Sequence, residues 1–131
     1  MQIDQTISIL LVDDTAAMSH IMCRILKQLR FENVKVAADG TAALAMMHQY
    51  NFKLVISDLH MRPMPGDEFL RQVRADPQLA HTPFILVTAE KSAEFVSHAK
   101  DAGASAIIFK PFKADALRAK IEEALTSAIR H

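Results

Sequence analysis

Two kinds of apolar stretch alternate along the chain. Short, nearly unbroken runs occupy residues 7–12, 34–38, 53–58, 84–87 and 106–109. Runs of this length, rich in Val and Ile, read as strands buried on both faces of a parallel sheet. Between them the apolar positions follow a helical period. Met18, Ile21, Met22, Ile25, Leu26 and Leu29 fall at i, i+3, i+4, i+7, i+8 and i+11, which places all six on one inward face. Thr15 or Asp14 is placed to cap that helix.

The later helices follow the same logic. Asp39-Gly40-Thr41 opens a second helix that turns Ala43, Leu44 and Met47 inward. Residues 59–66 carry two prolines and a glycine and read as a loop. Residues 68–75 form a third helix on Phe69, Leu70 and Val73, and Pro77 and Pro83 bracket the crossing to the fourth strand. Residues 90–102 form a fourth helix with a thin face of Phe95, Val96 and Ala99, with Gly103 at the C′ position. After Lys110-Pro111-Phe112 a last helix runs to about residue 129, with Leu117, Ile121, Ala124 and Leu125 inward.

Five strands alternating with five helices give an α/β fold, a parallel sheet covered on both faces and joined by right-handed crossovers. No repeat, low-complexity segment or linker interrupts the pattern. Residues 1–131 therefore read as one domain, with a core from about 7 to 129.

Charge and composition remove several classes. Fifteen basic and fifteen acidic residues cancel, so no basic face argues for nucleic acid. The lone Cys23 cannot form an internal disulfide, which suits a reducing cytosol, and its helical position makes it a packed thiol. The polar opening, residues 1–6 with Asp4, does not read as a signal peptide, and no run approaches the ~18 residues of a membrane span. A soluble, cytoplasmic protein is expected.

The chemistry lies where the runs stop. The run at 53–58 ends on Asp58, the first ends on Asp13-Asp14, the fourth on Thr88 and the fifth on Lys110. In open parallel sheets the C-terminal strand edge is where ligands bind. Clustered carboxylates repel unless a cation fills the gap, and oxygen-only ligands suit Mg²⁺. A carboxylate nucleophile, a divalent metal, a lysine and a hydroxyl donor make a phosphoryl-transfer site. Asp58 is then the attacker, giving an aspartyl phosphate. Asp13 and Asp14 hold Mg²⁺ with Asp58 and a loop carbonyl, Lys110 supplies fixed charge, and Thr88 donates to an oxyanion.

With these residues in view, the chain resembles the receiver domains of two-component response regulators, and among them the single-domain chemotaxis members. The resemblance rests on Asp13-Asp14, Phe31-Glu32-Asn33-Val34, Ala38-Asp39-Gly40, Val55-Ile56-Ser57-Asp58, Met61, Met64, Gly66, Val87-Thr88-Ala89-Glu90, Gly103-Ala104-Ser105 and Lys110-Pro111-Phe112. It implies a flavodoxin-like (βα)5 fold of strand order 2-1-3-4-5. It also implies phosphorylation of Asp58 by a histidine kinase. Mg²⁺ would be held by Asp13, Asp14, Asp58 and the His60 carbonyl, with assisting roles for Thr88 and Lys110. A cis peptide is implied before Pro111. The output it implies is a phosphorylation-dependent contact with a downstream target, such as a flagellar motor component or a phosphotransfer protein, made by a monomer that binds no nucleic acid. Ala89, Glu90 and Ile107 fall at switch or modulating positions.

Three positions depart from the family pattern. Arg62 stands where a proline is usual, with Pro63 and Pro65 following. Ile107 replaces the usual aromatic on the fifth strand, and Arg30 replaces the glycine that commonly ends the first helix. Other readings are weaker. A flavin carrier needs a Ser/Thr/Gly-rich loop where Asp13-Asp14 stands, and an aspartyl-phosphate phosphatase needs an acid where His60 stands. The nearest rival is a phosphorelay intermediate or an interaction module whose phosphorylation is vestigial.

Overall fold

The computed structural model describes residues 3–129. Met1, Gln2, Arg130 and His131, which the whole-chain domain reading includes, lie outside the described residues. In chain order the elements are β1 (Ile9–Val12), α1 (Ala16–Gln28), β2 (Val34–Ala37), α2 (Gly40–Gln49), β3 (Leu54–Asp58), α3 (Gly66–Ala75), β4 (Phe84–Thr88), α4 (Ala93–Asp101), β5 (Ala106–Phe109) and α5 (Ala114–Ile129). The strands form one parallel sheet in the order β2-β1-β3-β4-β5, the order that the resemblance implied.

Successive side chains of a strand point to opposite faces, so each central strand feeds two cores. Leu10, Val12, Val55 and Leu86 pack with Ala43, Met47, Phe69, Val73 and Ala99 from α2, α3 and α4. Ile9, Leu11, Ile56 and Ile85 pack on the other face with Met22, Leu26, Leu117 and Ile121 from α1 and α5. β3 is buried along its whole length, which is why its sequence is apolar without alternation.

Several boundaries and orientations differ from the sequence reading. β1 begins at Ile9, two residues later than expected, with Ser8 joined to Asn51 through its hydroxyl and to Lys53 through its carbonyl. β2 ends one residue earlier, at Ala37. α3 begins two residues earlier, at Gly66, with Pro65 as its N-cap. α4 begins at Ala93, three residues later than expected. Thr88 Oγ1 takes the Glu90 N–H at 3.0 Å, and the side chain of Ser92 then caps the helix by accepting from Phe95 N. Ile21 is not inward: it is 49% exposed, about 100° around the helix from its buried neighbour Met22. The stripe of α1 that meets the sheet is narrower than the apolar pattern suggested. Neither Thr15 nor Asp14 caps α1 through its side chain: Thr15 holds the N-cap position without a cap bond, and its N–H and hydroxyl both donate to Asp13 Oδ1.

Two helices end alike with different residues. In α1, Arg30 N–H donates to Lys27 O and Phe31 N–H to Leu26 O; in α4, Gly103 N–H donates to Lys100 O and Ala104 N–H to Ala99 O. Both are Schellman closures, which need a left-handed residue at C′. Gly103 supplies it at φ 105° and Arg30 at φ 73°. The Lys110–Pro111 peptide is cis, as the resemblance implied, and so is Arg62–Pro63, which the sequence reading did not anticipate. Among the described residues no helix is long and apolar enough to cross a membrane.

Candidate functional site

β1 and β3 are neighbours with Val12 opposite Ser57, so Asp13 and Asp58 leave adjacent strands at one level. Both are buried, at 6% and 8% exposure. Asp13 is held by its N–H to Ala37 O at 3.1 Å, and its Oδ1 accepts from Thr15 N at 2.9 Å and Thr15 Oγ1 at 3.0 Å. Asp14 is exposed and turns to the loop after β3, where its Oδ2 accepts from Arg62 N at 3.2 Å. A cleft of about 280 Å³, lined by Asp14, His60, Met61, Arg62 and Pro65, opens there.

The loop is pinned to the sheet. Leu59 N–H donates to Val87 O at 2.9 Å, and Gly66 N–H donates back to Leu59 O at 2.8 Å. This folds the start of α3 onto the end of β3. Ser57 Oγ donates to the Asp58 carbonyl at 2.9 Å, and the Gly66 α-carbon packs against the same carbonyl. A side chain at position 66 would collide with it.

β5 brings in the cation. Thr88 lies opposite Phe109, and Lys110 N–H donates to Thr88 O at 2.8 Å, which extends the ladder one residue past β5. From that position Lys110 Nζ reaches to 2.7 Å of Asp58 Oδ1, with side-chain exposures of 27% and 9%. That oxygen is buried, and the Lys110 ammonium is its partner at an ion-pair distance.

Asp13, Asp58, Lys110 and the buried Thr88 therefore meet at one sheet edge, with Asp14 at its rim. His60 is exposed in the loop, and among the described residues no group donates to its carbonyl. Ala89 and Glu90 are exposed just beyond β4. Ile107 is 5% exposed, opposite Leu86, inside the core under α2 to α4. The sequence reading assigned no role to the Arg62 N–H that meets Asp14, nor to the Gly66 backbone. Both act through the main chain, where side-chain type leaves little signal. Gly66 directly after Pro65 was the one available clue.

Among the described residues no three His, Cys, Asp or Glu side chains converge closely enough to cage an ion. Asp13 and Asp58 at the sheet edge are oxygen donors of the kind that suits Mg²⁺, which keeps several waters and takes one or two carboxylates directly.

Comparison with known proteins gives a consistent picture. Residues 9–122 match the response regulator receiver domain. The chemotaxis protein CheY of Pseudomonas aeruginosa is 43% identical over 115 residues, covering 88% of this chain and 93% of that protein. CheY-3 of Vibrio cholerae is 36% identical over 121 residues, covering 92% and 93%. The solved structure of V. cholerae CheY4 superposes with a TM-score of 0.84 at 33% identity, covering 92% of this chain and 99% of the other.

Proposed function

The chain belongs to the response regulator receiver family, and we propose that it works as a stand-alone member, phosphorylated on Asp58. The observation that carries this reading is the buried Asp58 carboxylate at the sheet edge, with Oδ1 2.7 Å from Lys110 Nζ. A carboxylate held this way has a fixed counter-charge beside it.

The transfer is a single displacement. A carboxylate oxygen of Asp58 attacks the phosphorus of a phosphohistidine on a histidine kinase. The new P–O bond forms as the P–N bond breaks, and the bonding pair stays on the imidazole nitrogen, which takes up a proton. Lys110 balances charge as it spreads over the phosphoryl oxygens. The Thr88 hydroxyl accepts from Glu90 N–H and retains its own hydrogen to donate to a phosphoryl oxygen. Asp13, Asp14, Asp58 and the His60 carbonyl would hold Mg²⁺, which when bound supplies the positive charge that the phosphoryl group needs.

In this reading residues 7–129 act as one receiver unit in the cytoplasm, a monomer whose output is a phosphorylation-dependent contact with another protein. Similarity to chemotaxis proteins supports a role in chemotaxis or motility, with a flagellar motor component or a phosphotransfer protein as the target class. The protein would catalyse no turnover beyond assisting its own phosphorylation and dephosphorylation. His60 and Glu90 flank the path of the hydrolytic water and set the lifetime of the phosphoryl group. Exchanging either changes dephosphorylation several-fold while phosphorylation capacity persists. Ile107 is stiff at its first torsion and packed in the core, so the switch moves the backbone of residues 89–91 and leaves Ile107 in place. Structures with and without a beryllofluoride mimic test this: a rotamer change at Ile107 over a stationary loop contradicts it.

Incubation with a small phosphodonor and Mg²⁺, followed by intact-mass measurement, tests the core of the proposal. One added phosphoryl group, lost in Asp58→Asn and abolished by a chelator, is the expected result. An acid-stable adduct, or undiminished labelling of Asp58→Asn, overturns it.

A further inference from the structure

A second pocket, of about 410 Å³, lies at the opposite sheet edge from Asp58, where the chain enters β4 and β5. Its polar lining is Arg74, His81, Lys100, Ser105 and Ser127, with no acid among the residues that form it. Arg74 is the built part. Its Nε donates to Gly103 O at 3.0 Å, its Nη1 to Ala80 O at 3.0 Å and Thr82 O at 2.7 Å, and its Nη2 to Ser105 Oγ at 3.4 Å. Those bonds occupy four of the five N–H groups of a guanidinium, and every acceptor is neutral.

The guanidinium faces main-chain carbonyls and a hydroxyl and no carboxylate. Among the described residues no carboxylate pairs with Arg74, His81 or Lys100. Burial pulls the Arg74 guanidinium below the usual arginine range, as expected for a cation losing water without gaining an anion. Ser105 Oγ already accepts from Phe84 N at 3.0 Å and from Arg74, so what it has left to offer is its own hydrogen. The remaining Nη2 hydrogen, the Ser105 hydroxyl and the Lys100 ammonium are all donors. A cavity of this size with a few convergent polar groups is in the range of small-ligand sites.

We propose that this pocket binds a small phosphate-type oxyanion, either free inorganic phosphate or the headgroup of a phosphomonoester, independently of the phosphoacceptor at the other edge. Donors alone and unpaired positive charge match an acceptor-only ligand of that class. The guanidinium is held in place before the ligand arrives, so its ordering cost is already met.

Amide spectra of the whole chain, titrated without Mg²⁺ at constant ionic strength in chloride, provide the test. Inorganic phosphate should give saturable shifts at Gly103, Ala104 and Ser105. The dissociation constant should rise about fivefold in Lys100→Ala, the size of one surface charge contact, and stay unchanged in Asp58→Asn. Tighter binding of glycerol 3-phosphate at the same amides assigns the site to phosphomonoesters, and equal binding assigns it to free phosphate. Non-saturating shifts, shifts confined to the neighbourhood of Asp58, or undiminished binding when Lys100→Ala is combined with His81→Ala would overturn the proposal.

Discussion

The Gly66 α-carbon rests against the main-chain carbonyl of Asp58, and a Cβ added at Gly66 would also stand 3.0 Å from the Asp58 carbonyl carbon and 3.0 Å from the Leu59 α-carbon. All of these neighbours are backbone held by sheet and loop hydrogen bonds, so none can swing aside. Gly66→Ala is expected to destabilise the fold by about 1–3 kcal/mol, the usual cost of overpacking. A lower urea midpoint at unchanged slope checks it. Phosphorylation by a small donor should slow in the same variant, because the displaced strand end carries Asp58.

Arg30 stands in a left-handed conformation at φ 73°, where a side chain is penalised and glycine is not. It is exposed, so its replacement removes no packing. Arg30→Gly is expected to stabilise the protein by up to about 1 kcal/mol, net of glycine's extra freedom when unfolded, and thermal unfolding reads it directly. The reverse experiment is Gly103→Ala. It should destabilise, because φ is 105° and the new Cβ would meet Arg74 Nε at 2.9 Å.

Lys110 is the cation paired with Asp58 Oδ1. Lys110→Ala should lower the rate of phosphorylation about a hundredfold, the scale of losing one preorganised group at the developing charge. Intact-mass kinetics at fixed phosphodonor measure it. The same variant should bind Mg²⁺ more tightly, since a positive charge beside the carboxylates is gone. A Mg²⁺ titration that shows weaker binding contradicts the electrostatic account.

Burial raises the Cys23 thiol above its ordinary value of 9.0. The protonated form is favoured in the folded chain, so this contribution to stability is complete below the unfolded thiol's value. It is lost as pH rises through the folded one. The thiolate is the reactive form. Alkylation of Cys23 at mildly alkaline pH should therefore be slower in the native protein than in urea, and the gap should close as the pH is raised further.

Much of the candidate site is legible in the residue pattern alone, and the reason is specific. β3 is buried on both faces, so its run from Leu54 to Ile56 carries no polar interruption, and Asp58 stands out as its first charge. The same argument locates Thr88 and Lys110. What the pattern does not convey are features set by the main chain. α4 starts at Ala93 because Thr88 and Ser92 each take a backbone N–H, a competition invisible to hydrophobic spacing. Ile21 satisfies the helical period yet lies outward, because the period marks a stripe and not the width that the sheet covers. The Arg62 N–H joins Asp14 through an atom every residue but proline possesses, so its residue type carries no trace of it.

The two Schellman closures differ in what their central residue can do next. At Gly103 the left-handed turn sits under Arg74, whose guanidinium grips the Gly103 carbonyl, so the end of α4, the end of α3 and the entries to β4 and β5 share one fastener. α4 begins just beyond the loop that leaves Thr88, and its other end is bolted to Arg74. A displacement at the Thr88 end is therefore expected to tilt the helix about its held far end rather than slide it along its axis. The sheet edge remote from Asp58 is in that sense the pivot, and the short loop at residues 89–92 is the free end of the lever.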